Sequence, residues 1–233
     1  IGLAVLSRVH KVAVVNLPGF GAMLLPAPRG FAYSGGRWRI NPSYLVPQQL
    51  RRFAAVDPQG PWLSMATALP AILKAVAPLG IVPDWAQYSG GRWVPDPDSR
   101  AIGSYDAVRS YLWTGMMPEL DPLRDSLIDA QRGLRARISA DGRLPERIET
   151  KSGEFAGNAP AAFSAALLPW LSALGDSDAL AAQHLRLAAM RSGELYGDTR
   201  NYYDQALALF GTGWLEGRFR FDLQGRILTR WAT

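Results

Sequence analysis

Residues 159–174 read APAAFSAALLPWLSAL, and residues 177–192 read SDALAAQHLRLAAMRS. The first stretch is apolar around nearly its whole circumference, a pattern that only burial on all sides satisfies. The second gathers its arginine and aspartate on one side, as a helix with one face in solvent does. The same two characters alternate outward from this pair. Residues 104–117 and 201–215 are apolar nearly all round, and residues 122–139 are amphipathic. Helices of this length joined by short loops are antiparallel neighbours. Alternating inner and outer helices are what a toroid of helical hairpins requires, so the expected class is all-α.

Two further helices precede these. Asn41-Pro42-Ser43 is a helix opening, with Asn41 as N-cap and Pro42 at the first helical position, running to about Val56 before Asp57-Pro58-Gln59-Gly60 stops it. The second spans about residues 62–77 and ends at Pro78-Leu79-Gly80. Residues 81–100, with Pro83, Gly90, Gly91, Pro95 and Pro97, read as a loop. Residues 1–40 are rich in Gly, Pro and β-branched side chains. There, residues 10–15 read as a short strand before the turn cluster Leu17-Pro18-Gly19-Phe20-Gly21. Near the other end, residues 218–221 and 226–228 flank Gln224-Gly225 as a small hairpin. A length of 233 residues fits one domain, residues 1–233. The chain opens Ile1-Gly2-Leu3 without an initiator Met, and reads as cut from a longer protein.

Composition narrows the chemistry. There is no cysteine and only two histidines, His10 and His184, far apart in sequence. That removes thiolate metal sites and cysteine nucleophiles, and disfavours a histidine metal site or a Ser-His-Asp triad; neither metal nor cofactor is expected. The net charge of +5 comes from scattered arginines such as Arg51, Arg52, Arg132, Arg135 and Arg137, without the dense basic block of a nucleic-acid arm. No apolar run reaches the ~18 residues of a membrane span.

The residues that invite chemistry sit at helix N-termini. Ser104-Tyr105-Asp106-Ala107-Val108-Arg109 opens one helix. Asp106 lies in the first turn, where the helix dipole favours the ionised carboxylate, and Arg109 three residues on supports the same state. A carboxylate kept ionised suits a general base. A first-turn Asp with a helical Arg partner is also a commonplace of helix structure. Aromatic residues recur near similar boundaries: Trp38 and Tyr44, Trp85 and Tyr88, Tyr202 and Tyr203. Such rings stack on sugar faces, and they equally serve as core anchors.

Three motifs, in order and spacing, carry a resemblance: Asn41-Pro42-Ser43-Tyr44-Leu45, Val82-Pro83-Asp84-Trp85, and Ser104 to Arg109. Together with Tyr111 to Met117, the stretch around Phe163-Ser164-Ala165-Ala166, and Leu209 to Trp214 through Phe221, they resemble glycoside hydrolase family 8 over nearly the whole chain. Within it the chain is most similar to the periplasmic endoglucanases of bacterial cellulose-synthesis operons.

The resemblance implies an (α/α)6 toroid that cleaves β-1,4-glucan (cellulose, cello-oligosaccharides) with inversion. It places the general base on Asp106, and subsite residues on Tyr44, Tyr105 and Arg109. Asn41, Asp84 and Trp85 belong to its motifs, and Trp38, Tyr202 and Tyr203 join them as candidate sugar contacts. It also implies a periplasmic or secreted protein with a functional link to a cellulose synthase complex. The family's general acid, a Glu in a Ser-Glu-Gly motif, is expected upstream of Ile1, so the toroid is expected to be incomplete at its amino-terminal end and the chain alone inactive. Ser152-Gly153-Glu154, Ser192-Gly193-Glu194 and Asp176-Ser177-Asp178-Ala179-Leu180 carry similar letters in the wrong order or place. The competing expectation is a non-catalytic carbohydrate-binding or scaffold fragment on the same helices.

Overall fold

The computed structural model describes residues 1–197 and 201–230. Among these, eight α-helices form the frame: α1 (Gly2–Ala13), α2 (Pro47–Val56), α3 (Trp62–Val76), α4 (Ala107–Gly115), α5 (Arg124–Ala130), α6 (Ala161–Leu174), α7 (Ser177–Ala189) and α8 (Tyr202–Leu215). The centre is α6. Every residue from Ala161 to Leu171 is buried, and the helix packs against α4, α7 and α8. Its contacts are close because glycines let backbones approach. A side chain at Gly115 would lie 2.2 Å from the Trp170 backbone nitrogen, and one at Gly211 would lie 2.0 Å from the Ala165 carbonyl. Gly175, left-handed at φ 71°, ends α6, and the Asp176 carboxylate then caps α7 by accepting from the Ala179 N–H. Polar Gln183 on α7 is fully buried, accepting from Ser164 and donating to the Gly142 carbonyl.

Several expectations are corrected. Residues 10–13 are the end of α1, not a strand; the strand begins at Val14, because Leu6 and Ala13 find a buried helical stripe. The opening at Asn41 is a single 3-10 turn (Pro42–Tyr44), capped as expected by the Asn41 side chain on the Ser43 N–H, and α2 starts afresh at Pro47. The span 122–139 is not one helix. After α5 it tightens into a 3-10 segment (Arg132–Arg137), where Gly133 passes so close to Leu79 that an added Cβ would meet its carbonyl oxygen at 1.7 Å. On α8 one face is buried on α6, while Leu209 is 72% and Tyr202 86% exposed, so its apolar character does not mean burial all round.

The β-structure is also richer than a few hairpins. The expected turn cluster joins strands β1 (Val14–Leu17) and β2 (Gly21–Leu24), which form a hairpin across Pro18-Gly19-Phe20. Strands β3 (Ala32–Tyr33), β4 (Arg37–Ile40), β5 (Ala86–Ser89) and β6 (Arg92–Pro95) form an antiparallel four-stranded sheet, so the 81–100 region is only partly loop. Strands β7 (Ile102–Gly103), β8 (Arg147–Glu149) and β9 (Phe155–Ala156) form a second, three-stranded sheet. The last hairpin pairs Phe219–Phe221 with Ile227–Thr229. Both larger sheets bring distant segments to the start of α4. The first sets residues 38–40 beside 86–88, and the second ties residue 103 to 148.

Candidate active site

The start of α4 is held from a distance. The chain enters the helix through Ser104-Tyr105-Asp106, and the exposed N–H groups of that first turn need acceptors. Asp84 supplies them: its Oδ1 accepts from Ser104 at 2.8 Å, from Asp106 at 3.0 Å and from Ala107 at 2.7 Å. Burial pushes the Asp84 carboxyl above its ordinary value, and the negative charge of Asp106 adds to that. The hydrogen bonds from Ala107, Ser104 and Asp106 pull the other way without cancelling it. Asp84 is thus a helix cap.

Asp106 stands at the N-cap position, with a side chain 29% exposed. Its Oδ1 accepts from Arg109 Nη2 in an i,i+3 ion pair. The same nitrogen of Arg109 donates to Ser43 Oγ at 3.1 Å. Ser43 is in turn fixed by Asn41, whose Oδ1 accepts from the Ser43 hydroxyl at 2.6 Å and from its N–H at 3.0 Å. Trp113 Nε1 donates to the Ser43 carbonyl. The first motif therefore reaches the carboxylate through a relay from Asn41 to Ser43 to Arg109. Asn41, only 1% exposed, acts within the relay and presents no surface to a ligand.

Two half-exposed tyrosines belong to the surroundings of this pair. Tyr44, 42% exposed, lies under the Arg109 guanidinium, 5.4 Å from its carbon, and meets Trp85 edge-on. Trp85 is itself wedged. Phe31 stacks on it at 7° between planes, and the Arg39 guanidinium sits 4.3 Å from its centroid. Arg39 is clamped by two hydrogen bonds to fully buried Asp96. Burial raises the Asp96 carboxyl, but the hydrogen bonds from Ser99 and Arg39 outweigh this and hold it below its ordinary value. Tyr105, 44% exposed, packs its ring on Phe163 and Tyr203. The Tyr203 hydroxyl donates to the Tyr105 carbonyl. Burial and the nearby Asp106 and Asp84 charges keep that phenol protonated far above neutrality, against the opposing pull of Arg109.

Of the ten residues singled out in the sequence, eight converge here: Asn41, Tyr44, Asp84, Trp85, Tyr105, Asp106, Arg109 and Tyr203. Two do not join by contact. Trp38 packs on Tyr88 in the four-stranded sheet. Tyr202 makes no side-chain hydrogen bond or ring contact with the described residues. Reading the sequence missed Ser43, although it sits inside the quoted motif, and also missed Arg39, Asp96 and Glu146, which carry no local signal. Among the described residues no group of three or more His, Asp or Glu side chains is arranged to hold a metal ion.

The site thus gathers an ion-paired carboxylate and two half-exposed tyrosines at the start of α4. The chain is 43% identical over 232 residues to an endoglucanase of Xanthomonas axonopodis pv. citri (strain 306), and 37% identical over 236 residues to an endoglucanase of Escherichia coli (strain K12). Both alignments take in the whole of this chain and 60% of the relative, so the chain spans well under two thirds of their length. The crystal structure of an endo-1,4-D-glucanase from Vibrio fischeri ES114 superposes with a TM-score of 0.88 at 30% identity, covering 97% of this chain and 65% of that one. The sequence profile of Glycosyl hydrolases family 8 matches residues 1–217, and on that match the chain belongs to family 8 of the glycosyl hydrolases.

Proposed function

We propose that this chain is part of an endo-β-1,4-glucanase that cleaves cellulose and cello-oligosaccharides with inversion, with Asp106 as the general base. One observation carries the reading: the Asp106 carboxylate is partly exposed and paired to Arg109, whose guanidinium lies over half-exposed Tyr44, and half-exposed Tyr105 is its neighbour in the chain. A partly exposed carboxylate with one oxygen held by a guanidinium can accept a proton from a water molecule on its free side. Inversion needs a second, protonated carboxyl across the sugar, about 6.5–9.5 Å away. Neither neighbouring carboxyl takes that role in this reading. Asp84 spends its oxygen on three backbone N–H groups, and Glu146 accepts from Tyr105. The acid is assigned to the part of the relatives' length that this chain does not match. The reading includes an (α/α)6 toroid as the complete architecture, a periplasmic or secreted location and a functional link to cellulose synthesis.

The test is the stereochemistry of the first product. Proton NMR of cellopentaose during hydrolysis by the complete gene product should show the new reducing end appearing as the α-anomer before mutarotation. A β-anomer burst, or no cleavage of β-1,4-glucan, would overturn the reading.

A further inference from the structure

Glu146 stands at the tip of the Tyr105 ring. The Tyr105 hydroxyl donates to its Oε1 at 3.3 Å, long for a hydroxyl–carboxylate bond, so the phenol does not saturate the carboxylate. Its Oε2 has no hydrogen-bond partner among the described residues. The position of the group is fixed by the backbone: Ser104 Oγ donates to the Glu146 carbonyl at 2.7 Å, and the Glu146 N–H donates to the Ala156 carbonyl. Gly157 opposite, left-handed at φ 77°, leaves the space the side chain needs, since a Cβ there would come within 2.8 Å of Oε2. The Tyr105 ring is supported by Phe163 at 5.1 Å and Tyr203 at 5.6 Å between centroids.

A β-linked glucose ring has apolar faces and carries its hydroxyls around the rim. A ring laid on Tyr105 would therefore turn rim hydroxyls towards whatever lies at the edge of the aromatic plane. From this we infer that Glu146 is a specificity-determining residue. It accepts a hydroxyl of the sugar stacked on Tyr105 and, through its negative charge, disfavours an anionic substituent on that sugar. The inference rests on the glucanase reading above and adds to it a preference for a neutral, unsubstituted glucan unit at this place. A charged acceptor gives a stronger hydrogen bond to a hydroxyl than a neutral one, and like charges repel across a partly desolvated contact.

The experiment uses the complete gene product with Glu146→Gln, Glu146→Ala and Asp106→Asn, assayed on cellopentaose and on carboxymethyl cellulose. Glu146→Ala should raise KM for cellopentaose about tenfold, the usual effect of losing a hydrogen bond to a charged group, with kcat within about twofold. Glu146→Gln should recover part of that KM. It should also raise the ratio of carboxymethyl cellulose to cellopentaose activity at least severalfold, and added salt should flatten the difference. A merely structural role would move both substrates together and leave that ratio unchanged. If the ratio and KM stay at wild-type values in both Glu146 variants while Asp106→Asn abolishes turnover, this inference is wrong and the glucanase reading stands. If Asp106→Asn retains turnover, both fall.

Discussion

Asp84 Oδ1 accepts the backbone N–H of Asp106 at 3.0 Å across twenty-two residues of sequence, and so the carboxylate assigned to catalysis is aimed by another carboxylate that it does not touch through its side chain. The same oxygen serves Ser104 and Ala107. Asp84→Ala would leave three N–H groups at a half-buried helix start without acceptors. The expected loss is about 1–3 kcal/mol of stability, read from urea midpoints, together with reduced activity from a loosened Asp106. Unchanged stability and activity would mean that another group caps α4.

Asp84 and Asp96 should titrate in opposite senses. The Asp84 carboxyl is raised, so its contribution to stability is fully present below the unfolded value, near 3.8, and is lost as pH rises through the higher folded value. The Asp96 carboxyl is lowered, so its contribution is present above 3.8 and is lost as pH falls through the lower folded value. Melting temperatures of wild type, Asp84→Asn and Asp96→Asn between pH 2 and 7 should therefore diverge in opposite directions. In Asp96→Asn the acid-side decline below 3.8 should be shallower than in wild type.

Arg109 holds both Asp106 and Ser43. Arg109→Met should leave the Asp106 carboxylate present but no longer oriented, with a fall in kcat of up to about a hundredfold, smaller than that of removing the carboxylate. Ser43→Ala should lie between wild type and Arg109→Met, because it cuts the relay one step further out. Steady-state kinetics on cellopentaose for the two variants checks that order.

The glycine contact between α4 and α6 can be tested separately from the site. Gly115→Ala would push a methyl group against the Trp170 backbone and should cost about 1–3 kcal/mol. Gly2→Ala, with open space around it, should change stability by less than about 0.5 kcal/mol. Denaturant melts of both variants give the comparison.

The parts legible in the sequence are those decided by local pattern. Helices α3, α6, α7 and α8 lie within two or three residues of their expected bounds, because long apolar or amphipathic periods with Pro, Gly or Asp at the ends leave little choice. Helix α1 was hidden by Val5, Val9 and Val12, whose β-branching reads as strand until tertiary burial of Leu6 and Ala13 overrides it. Strands β5 and β6 were hidden among Pro and Gly, since pairing to β4 across some fifty residues leaves no local mark. The same holds at the site. Asp106 and Arg109 are legible as a first-turn pair, and Tyr44 and Tyr105 through the motifs that hold them, whereas the capping by Asp84, the Asp96–Arg39 clamp and the place of Glu146 exist only once distant segments meet. Tyr202 and Tyr203 could not be told apart by sequence, because adjacent helical residues point about 100° apart and only packing chooses between them.

Asp106, as the proposed base, is the residue on which hydrolysis should depend most. Asp106→Asn keeps the size of the side chain and an oxygen for Arg109 but cannot take a proton from water. The direct measurement is kcat for cellopentaose hydrolysis by the complete gene product and by its Asp106→Asn variant, with cello-oligosaccharide affinity measured by calorimetry alongside. In the Asn variant kcat should fall about 10²–10⁴-fold, with binding retained on Tyr44 and Tyr105. Near-normal turnover in the Asn variant would contradict that role of Asp106.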